Sequence, residues 1–316
     1  MATINFGNAQ DEVQQDTILD SEHVEESSDT IDETSHQMSV DDSGMSSIEL
    51  NDPNKIKATI VDNKTPIVVL FGPPACGKTM TLVRLTRYLK SQGYTVEPIP
   101  SFRPSYDRNY QEMCKNFDYM ISQDDAAGRN ERINFMLVRV LKNGKPFCQI
   151  LEGPGEYYFN PKAPKAQFPA YVSNIISSPN RKIWTIMLEP DNTNGMDNQT
   201  RKLYANKLER LKTKIDYRSK IVFLFNKIDE THCVISPGNI RYGQLLQQTE
   251  QLYQNIFVPF MNVNPISKLW RKYNFDFLAF QTGDYVEASD GTQRFEEGAD
   301  IYPKKLWKLL QKRIRG

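Results

Sequence analysis

Pro66-Ile67-Val68-Val69-Leu70-Phe71-Gly72-Pro73-Pro74-Ala75-Cys76-Gly77-Lys78-Thr79 is the stretch that decides the fold. Its first six residues are a continuous apolar run, as a parallel strand buried on both faces requires. The next eight match G-x-x-x-x-G-K-[ST], and Leu82, Leu85 and Leu89 follow at helical spacing until Gly93 stops the helix. The order is strand, glycine-rich loop, helix. The backbone N–H groups of such a loop, here Gly72, Ala75, Cys76, Gly77 and on to Met80, surround phosphate oxygens at the positive end of the helix. Lys78 would neutralise the β and γ oxygens, and the Thr79 hydroxyl would hold Mg²⁺. The plain alternative, a turn with a surface lysine, does not explain the flanking strand and helix. Cys76 has two readings: a thiol made acidic by the helix N-terminus, or a small residue packed beneath the phosphates.

Outward from this stretch, apolar strands alternate with amphipathic helices. Tyr94-Thr95-Val96 comes first, then an irregular stretch with a helix near Tyr106 to Ile121, then the polar segment Asp124 to Arg132. Phe135 to Leu141 and Phe147 to Leu151 read as strands joined by Lys142-Asn143-Gly144-Lys145, whose Asn-Gly pair suits a tight hairpin. Ile183 to Leu188 is a further buried strand, and a helix is expected over about Asn198 to Lys214, with Leu203, Leu208 and Leu211 along one side. Ile221 to Phe225 and Phe275 to Phe280 complete the strands, with helices near Gln244 to Ile256 and Pro303 to Ile314. This pattern predicts a mainly parallel α/β sheet covered on both faces, with one antiparallel hairpin.

The formal charge of zero hides a split. Met1 to Asp52 holds 14 Asp and Glu and no Lys or Arg, whereas the rest carries 39 basic residues against 25 acids, about +14. The acidic stretch, with runs such as Glu25-Glu26-Ser27-Ser28-Asp29, has too little apolar surface to offset ordering, and we expect it to be disordered. It reads either as a solubilising tail or as a cover for the basic body or a partner-binding arm. Cys76, Cys114, Cys148 and Cys233 lie far apart without C-x-x-C spacing, and no signal-peptide pattern opens the chain, which fits a reducing cytoplasm. No apolar run reaches the roughly 20 residues that span a bilayer, so any membrane contact is expected to be peripheral.

Asn226-Lys227-Ile228-Asp229 directly follows the strand Ile221-Val222-Phe223-Leu224-Phe225, at the carboxyl end where open α/β sheets bind ligands. Together with the phosphate loop, this resembles the P-loop GTPases, whose guanine motif is N-K-x-D. The resemblance implies that Asp229 accepts from the guanine ring N–H and exocyclic amine, that Asn226 fixes the other edge, and that the Lys227 stem covers the ring or ribose. A site built for those hydrogen bonds rejects a base lacking them. A helix cap by Asp229 is the bland alternative.

A third element, Leu151-Glu152-Gly153-Pro154-Gly155-Glu156, stands where the family has D-x-x-G. By resemblance Glu152 binds Mg²⁺ through water, although Glu replaces the usual Asp, and the Gly155 N–H senses the γ-phosphate. Glu156 stands where Ras-like members orient the attacking water with a glutamine; a carboxylate can orient water or act as a base, but it also repels the γ-phosphate. Two departures remain. The segment near Gly128 to Arg132 lacks the family's Mg²⁺-binding threonine, and Arg129 and Arg132 are either transition-state cations or a solvated loop. Gln281-Thr282-Gly283 replaces S-A-K, whose backbone touches guanine, so Thr282 and Gly283 are expected to do the same by backbone. The resemblance covers roughly residues 65 to 286 with an insertion near 101 to 124, and looks closest to bacterial GTPases related to the translation-factor class, with the double-GTPase group as the narrower candidate.

The expectation is a disordered acidic tail over residues 1–58 and a three-layer Ras-like domain over 59–316. Its implied function is guanine-nucleotide binding with Mg²⁺ and slow GTP hydrolysis as a switch read by a protein effector or activator. The rivals are a non-hydrolysing GTP-binding scaffold and, opposed by the guanine motif, a P-loop ATPase or kinase. The terminal helix carries Lys304, Lys305, Lys308, Lys312, Arg313 and Arg315 with an apolar side of Leu306, Trp307, Leu309, Leu310 and Ile314. That side either packs on the sheet or serves as an amphipathic surface for anionic lipid.

Overall fold

The computed structural model describes residues 48–49, 52–122, 135–190, 196–262, 272–287 and 293–316. Most of the expected acidic tail, and the Asp124 to Arg132 segment with Arg129 and Arg132, lie outside the described residues. Packing onto the domain has begun by Glu49, within the stretch read as tail. Its carboxylate accepts from the Arg103 guanidinium at 2.6 Å and from the Lys57 amide at 3.2 Å.

The central sheet has seven strands in the order β2-β3-β4-β1-β5-β6-β9. Its strands are β1 (Ile67–Phe71), β2 (Thr95–Pro98), β3 (Met136–Lys142), β4 (Lys145–Glu152), β5 (Lys182–Leu188), β6 (Lys220–Phe225) and β9 (Asp276–Ala279). β4, β1, β5, β6 and β9 run parallel; β3 is antiparallel to β4 and to β2. This is the predicted mainly parallel sheet with its hairpin, extended by β2 at the edge. Asn143 (φ 51) and Gly144 (φ 72) make the tight turn, both in the left-handed region that an Asn-Gly pair tolerates. Every residue of β1 and of β5 is buried, as strands covered on both faces must be.

The helices are α1 (Lys78–Ser91), α2 (Arg108–Ser122), the single turn α3 (Gly155–Tyr158), α4 (Ala170–Ser177), α5 (Asn198–Lys212), α6 (Tyr242–Leu252) and α7 (Ile301–Arg315). α1 packs against α2 and α7. On α7, Tyr302, Leu306, Trp307, Leu310 and Ile314 are buried, so its apolar side belongs to the core and the amphipathic lipid surface is not available. Two small hairpins complete the chain: β7 (Val234–Ser236) with β8 (Asn239–Ile240), and β10 (Gly283–Glu287) with β11 (Gln293–Glu297). Neither hairpin is among the strands expected from the sequence; the second begins within Gln281-Thr282-Gly283, which that expectation places after the last strand. Its base is fixed to α1, because the buried Arg84 guanidinium pairs with Glu297 and Asp300, each at 2.6 Å, and Arg87 pairs with Glu297 at 2.9 Å.

Candidate functional site

β1 delivers the loop Gly72–Gly77 to the carboxyl end of the sheet, and Lys78 opens α1. Ala75 (φ 59) and Gly77 (φ 87) are both left-handed, the backbone alternation that forms an anion-binding concavity. At Gly77 a Cβ would lie 2.2 Å from Asn226 Nδ2, so only glycine fits. The Lys78 ammonium is buried and donates to the carbonyl oxygens of Pro73 at 2.8 Å and Gly72 at 3.3 Å. Met80 follows in the first turn of α1. Burial pushes the Cys76 thiol up to about 11, the opposite of the acidic thiol considered from sequence; the helix-end effect loses to desolvation because the side chain is fully enclosed.

Glu152 ends β4 beside this loop. One of its oxygens accepts from the Thr79 hydroxyl at 3.1 Å, the other from the Phe135 amide at 3.0 Å. Phe135 holds a left-handed backbone (φ 52), uncommon for an aromatic residue, with its ring 5.2 Å from Phe102 and 5.0 Å from Tyr171. Burial raises the Glu152 pKa, opposed by the nearby Lys78 charge and by those two hydrogen bonds. The paired hydroxyl and carboxylate oxygens suit a hard cation such as Mg²⁺, which takes few protein ligands and keeps waters and phosphate oxygens. Among the described residues there is no cluster of three or more His, Cys, Asp or Glu that could hold a metal by itself.

Gly155 lies directly against the loop. A Cβ there would come 2.4 Å from the Pro74 nitrogen and 2.6 Å from Lys78 Nζ. Glu156, next in α3, is exposed. Tyr158 closes the turn from below: it is fully buried, with its ring 4.6 Å from Phe71.

The second motif sits one strand further across. The Asn226 amide nitrogen donates to the Cys76 carbonyl at 3.1 Å, while its Oδ1, fully buried, has no partner among the described residues. Lys227 is left-handed (φ 52), and its ammonium pairs with Glu189 at 3.2 Å. Ile228 is buried and donates to the Phe280 carbonyl at 3.2 Å, which fixes Asp229 at the loop's outer turn. Partial desolvation, and the charges of Asp284 and Glu230, raise the Asp229 pKa. Thr282 is buried, and the Gly283 backbone (φ 140) approaches Glu296 so closely that a Cβ would fall 2.1 Å from its carbonyl oxygen.

The structure therefore brings Gly72 to Thr79, Glu152 and Gly155 together at one end of the site, and joins them to Asn226 through Cys76. Glu189 and Asp284 were missed. Glu189 follows an apolar strand at the carboxyl edge of the sheet, a position that could have flagged it. Asp284 depends on β10, whose signal was the Asp290-Gly291 pair downstream of the strand.

No protein-family model and no curated protein matches the sequence. Solved structures do. The signal recognition particle receptor SRb-GTP/SRX complex from Chaetomium thermophilum is 10% identical with a TM-score of 0.37, covering 78% of this chain and 98% of that one. The chloroplast translocon components atToc33 and psToc159 give 11% and 0.38, covering 80% and 83%. The S. cerevisiae Ski7 GTPase-like domain, bound to GTP, gives 12% and 0.39; the match covers 80% of this chain and 50% of that one. On its own strand order, with the phosphate loop after β1 and N-K-x-D after β6, the chain has the fold of the P-loop GTPases.

Proposed function

We propose that the protein binds guanine nucleotide and hydrolyses GTP slowly, as a switch. The observation that carries this is the bond from Asn226 to Cys76, which ties a complete N-K-x-D motif to the phosphate loop and leaves a buried acceptor, Asn226 Oδ1, unpaired beside it. In this reading the loop N–H groups of Gly72, Ala75, Cys76, Gly77 and Met80 take the phosphates, and Lys78 exchanges its two carbonyl partners for phosphate oxygens. Asp229 and Asn226 read the base, the Lys227 stem covers it, and the Thr282 and Gly283 backbone borders it. Thr79 and Glu152 would hold Mg²⁺, which when bound neutralises charge on the β and γ oxygens. The Gly155 N–H meets the γ-phosphate, and Glu156 orients the attacking water.

Because Gly155 packs against Pro73, Pro74 and Lys78, entry of a γ-phosphate displaces the Pro154 to Phe159 segment, and its position reports the nucleotide state to a protein effector or activator. The exposed Lys304, Lys308 and Lys312 of α7 offer a peripheral contact for an anionic surface by charge alone. Among the described residues no helix is long and apolar enough to cross a membrane. The cytoplasm is the compartment that suits this role.

The scaffold reading has one observation in its favour: both Glu152 oxygens are already engaged, by Thr79 and Phe135. Calorimetry with GTP and ATP, followed by phosphate release, separates the readings. GTP preference with turnover is expected; GTP preference without turnover, alone or with added lysate, favours the scaffold, and ATP preference rejects both. Lys78→Ala should abolish binding, and Asp229→Asn should weaken GTP and admit xanthosine triphosphate, whose ring carries a carbonyl where guanine has its amine.

A further inference from the structure

We propose that Glu189 is a positioning residue that pins the Lys227 ammonium and so fixes the lysine stem along the base site; this rests on the guanine reading above. Glu189 is the first residue after β5. Leu188, the last of that strand, accepts from the Asn226 amide at 2.8 Å, which sets Glu189 and the guanine motif side by side at the carboxyl edge of the sheet. The Glu189 side chain is only 3% exposed, and its carboxylate meets Lys227 Nζ at 3.2 Å.

Its backbone is held from the opposite side. The Tyr253 hydroxyl donates to the Glu189 carbonyl at 3.2 Å and accepts from the Glu189 amide at 3.4 Å. Tyr253 is itself buried against Tyr204, whose hydroxyl donates to the Met187 carbonyl at 3.3 Å. The carboxylate is thus delivered from a rigid base.

Two features meet at this contact. A carboxylate so deeply enclosed is costly unless paired, and a left-handed backbone at a lysine is strained. Together they aim the lysine at its partner. A free lysine stem samples many rotamers, whereas one tethered at both ends is ordered before ligand arrives, so less freedom is lost on binding.

Glu189→Gln loses the tether and keeps the lysine, whereas Lys227→Met removes the ammonium that the tether holds. GDP and ADP affinities measured by calorimetry on the full chain, with thermal melting as a check on folding, test this. Glu189→Gln should weaken GDP about tenfold in the wild-type background and should have little effect in the Lys227→Met background, where no ammonium remains to be pinned. Lys227→Arg, which keeps the ion pair, should stay within about threefold of wild type. This second comparison decides the matter if Glu189→Gln melts below the assay temperature. Equal losses from Glu189→Gln in both backgrounds, no loss in wild type, or Lys227→Arg as weak as Lys227→Met would overturn the assignment while leaving guanine recognition standing. Wild-type protein that fails to prefer GDP over ADP would remove the guanine reading and this inference together.

Discussion

The side-chain nitrogen of Asn226 stands 3.1 Å from the carbonyl oxygen of Cys76 and fills the space that a Cβ on Gly77 would need. One side chain therefore couples the two halves of the nucleotide site and dictates the residue in the loop opposite. Gly77→Ala meets this amide and must also adopt φ 87, which costs about 1 kcal/mol on its own for a residue with a side chain. We expect it to lower the urea midpoint and to abolish nucleotide binding. The pair Gly77→Ala with Asn226→Ala should recover part of the lost stability, because the clash is gone and only the backbone strain remains. A double variant as unstable as Gly77→Ala alone would mean that strain, not the amide, decides the residue at this position.

Gly155 makes the same kind of close approach from the other side of the loop. A methyl group there cannot coexist with the Pro74 nitrogen at 2.4 Å, which belongs to backbone and cannot swing aside. Gly155→Ala should therefore push α3 off the loop. Hydrogen exchange of the Tyr157 and Phe159 amides, bonded to the Pro154 and Gly155 carbonyls at 3.3 and 2.8 Å, should speed up in the nucleotide-free variant. Unchanged protection at both amides would show that the turn yields elsewhere.

The parts of this architecture legible in the sequence are those whose physics is local. A strand buried on both faces, such as Ile67–Phe71, reads as an uninterrupted apolar run, Ile183 to Leu188 as one broken only by Thr185, and Asn143-Gly144 names its own turn. The loop and guanine motif were visible because each sits immediately after such a run. The short helix Ala170–Ser177 was missed because eight residues give too little periodicity, although Tyr171, Val172 and Ile175 mark its inner face. Glu189 and Asp284 act through distant partners, Lys227 and Asp229, and no spacing along the chain announces a contact that only the sheet order creates. Cys76 shows the same limit: its position at a helix start left an acidic thiol open beside a small packed residue, and enclosure by the fold favours the packed one.

The Asp229 pKa is raised, by desolvation first and then by the charges of Asp284 and Glu230. A carboxyl whose folded pKa lies above its unfolded value binds its proton more tightly in the native state, so it destabilises the fold once pH rises through that range and has no such effect when both states are protonated. Asp284→Asn removes one repelling charge. In nucleotide-free protein it should melt at a higher temperature than wild type at neutral pH, and the difference should vanish below the ordinary carboxylate pKa of about 4. A gain that persists in acid would assign the effect to the new amide rather than to relieved repulsion.

The two charged ends of the chain give the last test. With the apolar side of α7 buried, Lys304, Lys308 and Lys312 form an exposed row along the helix, while Lys305 donates to the Gly238 carbonyl and Arg313 is taken by Asp276. A row of this kind binds anionic surfaces only through charge, so its affinity falls steeply as the screening length shortens from roughly 30 Å at 0.01 M salt to 10 Å at 0.1 M. The acidic stretch competes for the same charges if it covers them. Its removal has to stop before Glu49, because that carboxylate neutralises the buried Arg103 and its loss would disturb the fold rather than expose a surface. Deleting residues 1–47 should therefore strengthen sedimentation with vesicles rich in anionic lipid at low salt. Changing Lys304, Lys308 and Lys312 together to Gln in the truncated protein should cancel the gain. Equal sedimentation of full-length and truncated chains at low salt would leave the acidic stretch as a solvated extension, and a gain that survives the three substitutions would place the basic surface away from α7.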